Sequence, residues 1–120
     1  MNLAQCVQLH RHAIQGLWVR ALHPRFLTAP LDTAHAPTHA TRFSPGTSAD
    51  PAFEILYLAE DATVALFEVQ ALLGSAYPGT PSIPNPAGGP WTLIDVEVDL
   101  QAVVDFTRRS SRNLVETSVQ

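Results

Sequence analysis

Residues 53–73 read FEILYLAEDATVALFEVQALL, an extended half and a helical half that meet at Glu60-Asp61. Phe53 to Ala59 is rich in aromatic and aliphatic residues and lies between Asp50-Pro51 and Glu60-Asp61, a pattern that predicts a strand. Phe53, Ile55 and Tyr57 share one face of that strand, and Glu54, Leu56 and Leu58 share the other. With both faces mostly apolar, an interior strand is expected. Asp61 is placed to cap a helix in which Ala62, Ala65, Leu66, Val69, Leu72 and Leu73 recur at spacings of three and four, with Gly74 following. Val64 and Phe67 fall outside that stripe, so the helix is apolar nearly all round and is expected to be buried. Glu68 is the only charged residue between Ala62 and Leu73. Burying an unpaired carboxylate costs roughly several kcal/mol. Either the fold accounts for Glu68, by pairing it with an arginine or by leaving it on an exposed helix edge, or a site uses it, and the stretch by itself leaves these readings open.

Working outward, the 120 residues suit a single domain. The 46% hydrophobic content is that of an ordinary globular protein. No apolar run approaches the roughly 20 residues of a membrane span, and the N-terminus lacks the pattern of a signal peptide. Cys6 is the one cysteine, so no disulfide forms within the chain, and a cytoplasmic setting is expected. The net charge of −4 hides an asymmetry. Arg11, Arg20, Arg25 and Arg42 face only Asp32 in residues 1–42, nine acids and no base occupy residues 43–107, and Arg108, Arg109 and Arg112 follow. That is not the basic stripe of a nucleic-acid-binding protein.

Before the central stretch, residues 2–15 carry apolar positions that predict a short amphipathic helix ending near Gly16. Leu17 to Leu22 then alternates as a strand, with Arg20 projecting between large apolar neighbours. A charge so placed wants an anionic partner, from the protein or from a ligand. Prolines at 24, 30, 37, 45 and 51 make His23 to Pro51 a long loop, and loops of that length in compact domains are usually functional or disordered. Within it, Thr41-Arg42-Phe43-Ser44-Pro45-Gly46 has the composition of a tight turn able to aim backbone N–H groups at an anion. Beyond the central stretch, the Pro- and Gly-rich span from Gly74 to Pro90 reads as a connecting excursion or a lid. Trp91 to Val98 alternates as a half-buried strand with Asp95 and Glu97 outward, and Asp99 is placed to cap a helix from Leu100 to Phe106.

The five histidines do not build a metal site, because Pro37 breaks the helix that would align His35 with His39, while His10 and His12 point different ways on a helix. Cys6 reads as a small core residue, Tyr57 as a core aromatic or a site residue, and Asp95, Glu97 and Asp99 as a solvated strand edge. No Gly-x-Ser-x-Gly elbow or phosphate-binding Gly-x-x-x-x-Gly-Lys loop is present. What remains is a combination: two arginines near strands or turns, Tyr57 on a strand, and Glu68 eleven residues beyond it. Such a set suits a ligand with a pyrophosphate and a ribose.

Arg20 in LWVRA, Arg42 in TRFSPGTS, and Tyr57 and Glu68 in ILYLAEDATVALFE together resemble the RES domain family, named for its arginine, glutamate and serine. The resemblance covers about residues 16–120 and is most specific from Arg42 to Glu68. It implies an α+β fold, a small mixed sheet with helices, similar to that of ADP-ribosyltransferases. It further implies a toxin of a bacterial toxin–antitoxin pair that destroys NAD+ by breaking the nicotinamide–ribose bond, as a glycohydrolase, a phosphorylase or an ADP-ribosyltransferase. By the same resemblance Glu68, Arg20 and Tyr57 are catalytic, with Glu68 stabilising an oxocarbenium-like ribose. Arg20, Arg42 and Tyr57 bind the substrate, the arginines at the pyrophosphate and Tyr57 at the nicotinamide end. No metal or resident cofactor is implied, NAD+ being the substrate. The implied protein partner is an Xre-type helix-turn-helix antitoxin, with no direct contact to nucleic acid or membrane. The family serine is expected in a later segment, since Ser110 and Ser111 in RRSSRNL come too early, so a chain lacking the C-terminal part of the site is expected. The alternative is a catalytically inactive RES-like module that only binds a protein partner.

Overall fold

The computed structural model describes residues 2–34, 53–75, 79 and 81–117. Arg42, His35, His39 and the turn at Pro45-Gly46 lie outside the described residues. The architecture is α+β, with small two-stranded sheets and short helices. Strands are β1 (Arg11–Leu22), β2 (Leu72–Gly74), β3 (Ser82–Pro84) and β4 (Thr92–Val104), and helices are α1 (Ala62–Glu68) and α2 (Arg109–Leu114). Strand β1 pairs with β4, and β2 pairs with β3. The chain divides into two compact units, Met1–Gly16 with Glu97–Gln120, and Leu17–Val96.

In the unit Leu17–Val96, the buried apolar residues are Leu22, Ala59, Ala65 and Val96. The alternation read in β4 holds here: Thr92 and Ile94 are half-buried and Val96 is buried, while Leu93 and Asp95 are exposed. The strand expected from Phe53 to Ala59 is not a strand. Among the described residues the segment runs to Ala59 without a ladder, and Ala59 forms an isolated bridge, exchanging both hydrogen bonds with Val19 at 2.8 Å each.

Helix α1 starts where the sequence predicts. Asp61 is its N-cap, and its Oδ1 accepts from the Val64 N–H at 2.8 Å. The helix ends five residues earlier than the apolar stripe suggests, because Gln70 adopts a left-handed φ of 59°. The Gln70 N–H then donates to the Phe67 carbonyl at 3.0 Å and the Ala71 N–H to the Leu66 carbonyl at 2.8 Å, the paired bonds of a Schellman turn. Leu72 and Leu73, expected on the helix, instead enter β2 and pair antiparallel with Pro84 and Ile83. Cross-strand pairing outweighs the helical periodicity at this point. Nor is α1 buried all round: only Ala65 is.

Gly74, expected to end the helix, lies in β2 at φ +116°, and a Cβ there would stand 2.5 Å from the backbone oxygen of Pro81. Gly74→Ala is therefore expected to destabilise the protein by about 1–3 kcal/mol, through both strain and clash. Chemical denaturation of the two proteins checks this.

In the unit Met1–Gly16 with Glu97–Gln120, the predicted N-terminal helix shrinks to a 3₁₀ helix, Leu3–Gln8, and β1 already begins at Arg11. The helix expected from Leu100 to Phe106 is absent, since β4 runs on to Val104. Both departures occur where β1 and β4 supply each other's backbone partners, an energy that local propensity cannot foresee. Asp99 caps nothing: its Oδ1 accepts from Gln15 at 3.1 Å and from Gln101 at 2.9 Å. Cys6, expected in the core, is half-buried and free. Val115, fully buried, follows α2 and offers its carbonyl to the Asn2 N–H at 2.7 Å.

The turn into α2 is held by Asp105, whose Oδ1 accepts from the Thr107 hydroxyl at 2.6 Å and from the Thr107 N–H at 2.8 Å. The Arg108 Nε lies 3.5 Å from Oδ2. The Thr107 bonds, with smaller help from Arg108 and His12, hold the Asp105 carboxyl below the usual aspartate range. A depressed carboxyl contributes stability that is fully present above its unfolded value of about 3.9 and is lost as pH falls through the lower folded value. Asp105→Asn is thus expected to lose less stability than the wild type between neutral pH and about pH 3. Thermal melts of both proteins across that range measure the difference.

Candidate active site

Three segments of the unit Leu17–Val96 meet at a cleft of about 250 Å³. Strand β1 contributes Val19 and Ala21, the extended segment contributes Tyr57 to Ala59, and α1 contributes Val64, Ala65, Glu68 and Val69. The bridge between Val19 and Ala59 fixes the first two segments side by side. On α1, residues 64 and 68 and residues 65 and 69 are each four apart, so one helix face is turned to the cleft. Ala65, small and 3% exposed, lets that face approach closely.

Tyr57 and Glu68, paired from the sequence as site residues, are thus brought to one cleft. Tyr57 is 43% exposed, which sets aside its reading as a core aromatic. Glu68 is exposed as well, because α1 ends at this residue and the turn that follows leaves the helix end open to solvent. Among the described residues no hydrogen bond or ion pair engages its carboxylate. The ion pair between Glu68 and Arg20, one of the two structural options, is not formed.

Arg20 stands on β1 between Val19 and Ala21 and is not among the residues lining the cleft. Strand alternation points it the other way. Its Nη1 nevertheless donates to the Tyr57 carbonyl at 3.2 Å, so it braces the backbone that carries Tyr57. Its Nε is buried and has no hydrogen-bond partner, and no described carboxylate neutralises it. Burial lowers the guanidinium pKa from its ordinary value, because the charged form has lost water without gaining an acid. An anion would restore what burial removed. Arg42 lies outside the described residues, and Ser110 and Ser111 belong to α2 in the other unit.

A family model for the RES domain matches residues 17–117, which takes in β1 from Leu17, the whole cleft and α2. The chain belongs to the RES domain family. No curated protein and no solved structure gave a match to it. The RES match contains all four residues singled out from the sequence, Arg20, Arg42, Tyr57 and Glu68.

Asn85 in this RES domain escaped the sequence reading. Its side-chain Nδ2 donates to the Gln70 carbonyl at 2.8 Å, at the turn that ends α1. The signal was present as Asn85-Pro86-Ala87-Gly88, since β-turns favour Asn first, Pro second and Gly fourth. The turn forms, with the Gly88 N–H donating to the Asn85 carbonyl at 2.9 Å. Two further features of the described residues bear on ligands. No group of three His, Cys, Asp or Glu is placed to hold a metal ion, and no helix is long and apolar enough to cross a membrane.

Proposed function

We propose that this RES domain cleaves the bond between nicotinamide and ribose in NAD+. The observation that carries the reading is the convergence of Tyr57 and Glu68 on one cleft, beside a strand whose Arg20 is half-buried with no counter-ion among the described residues. A cleft of about 250 Å³ suits the nicotinamide and ribose end of a dinucleotide rather than the whole molecule.

In this reading the aromatic ring of Tyr57 orients the nicotinamide by stacking. The C1′–N1 bond breaks, and its electron pair passes to the nicotinamide nitrogen and neutralises the pyridinium. Positive charge then develops on the ribose at C1′ and its ring oxygen. The Glu68 carboxylate, which no described cation pairs with, stabilises that charge and accepts a hydrogen bond from a ribose hydroxyl. Water, phosphate or a protein side chain supplies the oxygen that closes on C1′ and releases its proton to solvent. The pyrophosphate lies outside the cleft in this reading, where Arg20, whose Nη1 reaches the Tyr57 carbonyl, and Arg42 as its proposed counterpart bind it through charge-assisted hydrogen bonds.

The resemblance to toxins of toxin–antitoxin pairs extends the proposal to an Xre-type antitoxin as protein partner and to the bacterial cytoplasm as the setting. The decisive experiment is incubation of the purified protein with NAD+, with and without phosphate, followed by chromatography. Equimolar loss of NAD+ and gain of free nicotinamide is expected, and the ADP-ribosyl product identifies the acceptor. NAD+ that stays intact at high protein concentration overturns the proposal in favour of a module that only binds a partner.

A further inference from the structure

Helix α1 has seven residues, far fewer than the roughly 12–15 at which an isolated helix becomes even marginally stable. Its last turn is loosely closed, the Val69 N–H reaching the Ala65 carbonyl only at 3.4 Å. Glu68 sits on that last turn, which is closed by the bonds from the Gln70 and Ala71 N–H groups to the Phe67 and Leu66 carbonyls, so its direction depends on what holds the Gln70-Ala71 backbone. Something outside the helix must do so if Glu68 acts with a fixed geometry.

We propose that Asn85 is a positioning residue for Glu68. The inference rests on the role given to Glu68 in NAD+ cleavage and adds to it the residue that holds Glu68 in place. The two carbonyls that follow the Schellman turn both end on Asn85: that of Gln70 accepts from Asn85 Nδ2 at 2.8 Å, and that of Ala71 accepts from the Asn85 N–H at 2.9 Å. The backbone bond continues the register of β2 with β3, in which Leu72 stands opposite Pro84. The side-chain bond is additional to any ladder and reaches one residue closer to Glu68.

The Asn85 amide has its orientation set from both ends. While Nδ2 faces the Gln70 carbonyl, Oδ1 accepts from the Ala87 N–H at 3.0 Å, and a flipped amide would lose both bonds. The turn behind it is equally closed. A Cβ on Gly88 would stand 3.0 Å from the Asn85 oxygen and 3.5 Å from the Ala71 Cα, so this turn packs directly against the end of the helix segment. Asn85 thus ties the backbone just after Glu68 to the hairpin of β2 and β3, and a site group held within a fraction of an ångström depends on such support.

The test is Asn85→Asp, which keeps the acceptor for Ala87 and replaces the donor to Gln70 with a repelling oxygen; Asn85→Ala serves as the second variant should the first fail to fold. Amide hydrogen exchange is read first, since it requires no turnover. Protection of Gln70 and Ala71 is expected to fall about tenfold while that of Val19 and Ala59 stays as in the wild type. Unchanged protection at Gln70 and Ala71 overturns the inference whatever the protein does to NAD+. Kinetics are read second: kcat is expected to fall about tenfold with KM within about twofold, and the same change in a Glu68→Gln background is expected to add no further loss. Equal kcat in variant and wild type, or a full further loss on top of Glu68→Gln, also overturns it. A wild type inert towards NAD+ with lowered protection in the variant instead overturns the proposed function and leaves Asn85 as the brace of the Glu68 turn.

Discussion

Glu68→Gln is expected to lower NAD+ turnover by about 10²–10⁴-fold with little change in KM, because the carboxylate charge matters only once positive charge has built up on the ribose. The substitution keeps size and hydrogen-bonding capacity and removes one negative charge. Stability should stay within about 0.5 kcal/mol of the wild type, since Glu68 is exposed and no described residue forms an ion pair with it. Steady-state kinetics with matched thermal melts provide the measurement. Wild-type turnover in the variant would take Glu68 out of the mechanism, and a large drop in melting temperature would show that the carboxylate supports the fold instead.

Arg20→Met is expected to cost about 10²-fold in kcat/KM for NAD+, carried mainly by a higher KM, through loss of the proposed pyrophosphate contact. Its effect on stability separates a binding arginine from a structural one. Had Arg20 formed a buried pair with Glu68, its removal would cost roughly 3–5 kcal/mol. The structure instead shows a half-buried guanidinium with one bond to the Tyr57 carbonyl, an unpartnered Nε and no described carboxylate paired with it. Methionine keeps the apolar stem and abolishes the desolvated charge, so the lost hydrogen bond of about 1 kcal/mol is largely offset. Near-wild-type stability with weakened substrate binding is the expected pair of results. Strong destabilisation would assign Arg20 to the fold.

Both expectations depend on features that the sequence carries unequally. The chain's membership of the RES domain family was legible from Arg20, Arg42, Tyr57 and Glu68 in their spacing, and the family match over residues 17–117 bears that out. The start of α1 was legible too, because an Asp at the N-cap acts on an N–H three residues away and needs nothing distant. So was the alternating burial at the start of β4, since a strand with one face covered writes its period of two into the residues themselves.

Other boundaries were decided elsewhere in the chain. The N-terminal segment carries apolar spacings that fit a helix, yet from Arg11 onward it is a strand, because β4 supplies its backbone partners. The helix expected after Asp99 became more of β4 for the same reason. Leu72 and Leu73 left the helical stripe for β2 once Gln70 turned left-handed and Ser82–Pro84 came alongside. Helical and extended states of such segments differ locally by a few tenths of a kcal/mol per residue, so one non-local ladder settles the choice.

The sequence by itself determined the family and the local signals that begin α1, and it nominated the residues of the candidate site. Only the tertiary structure decided that Glu68 ends its helix exposed rather than buried, that Arg20 braces Tyr57 instead of pairing with Glu68, and that Asn85 closes the turn behind them. The physical reason is range: capping and periodicity act within a few residues, whereas these three outcomes depend on partners 15 to 37 residues apart, as for Gln70 with Asn85 and Arg20 with Tyr57.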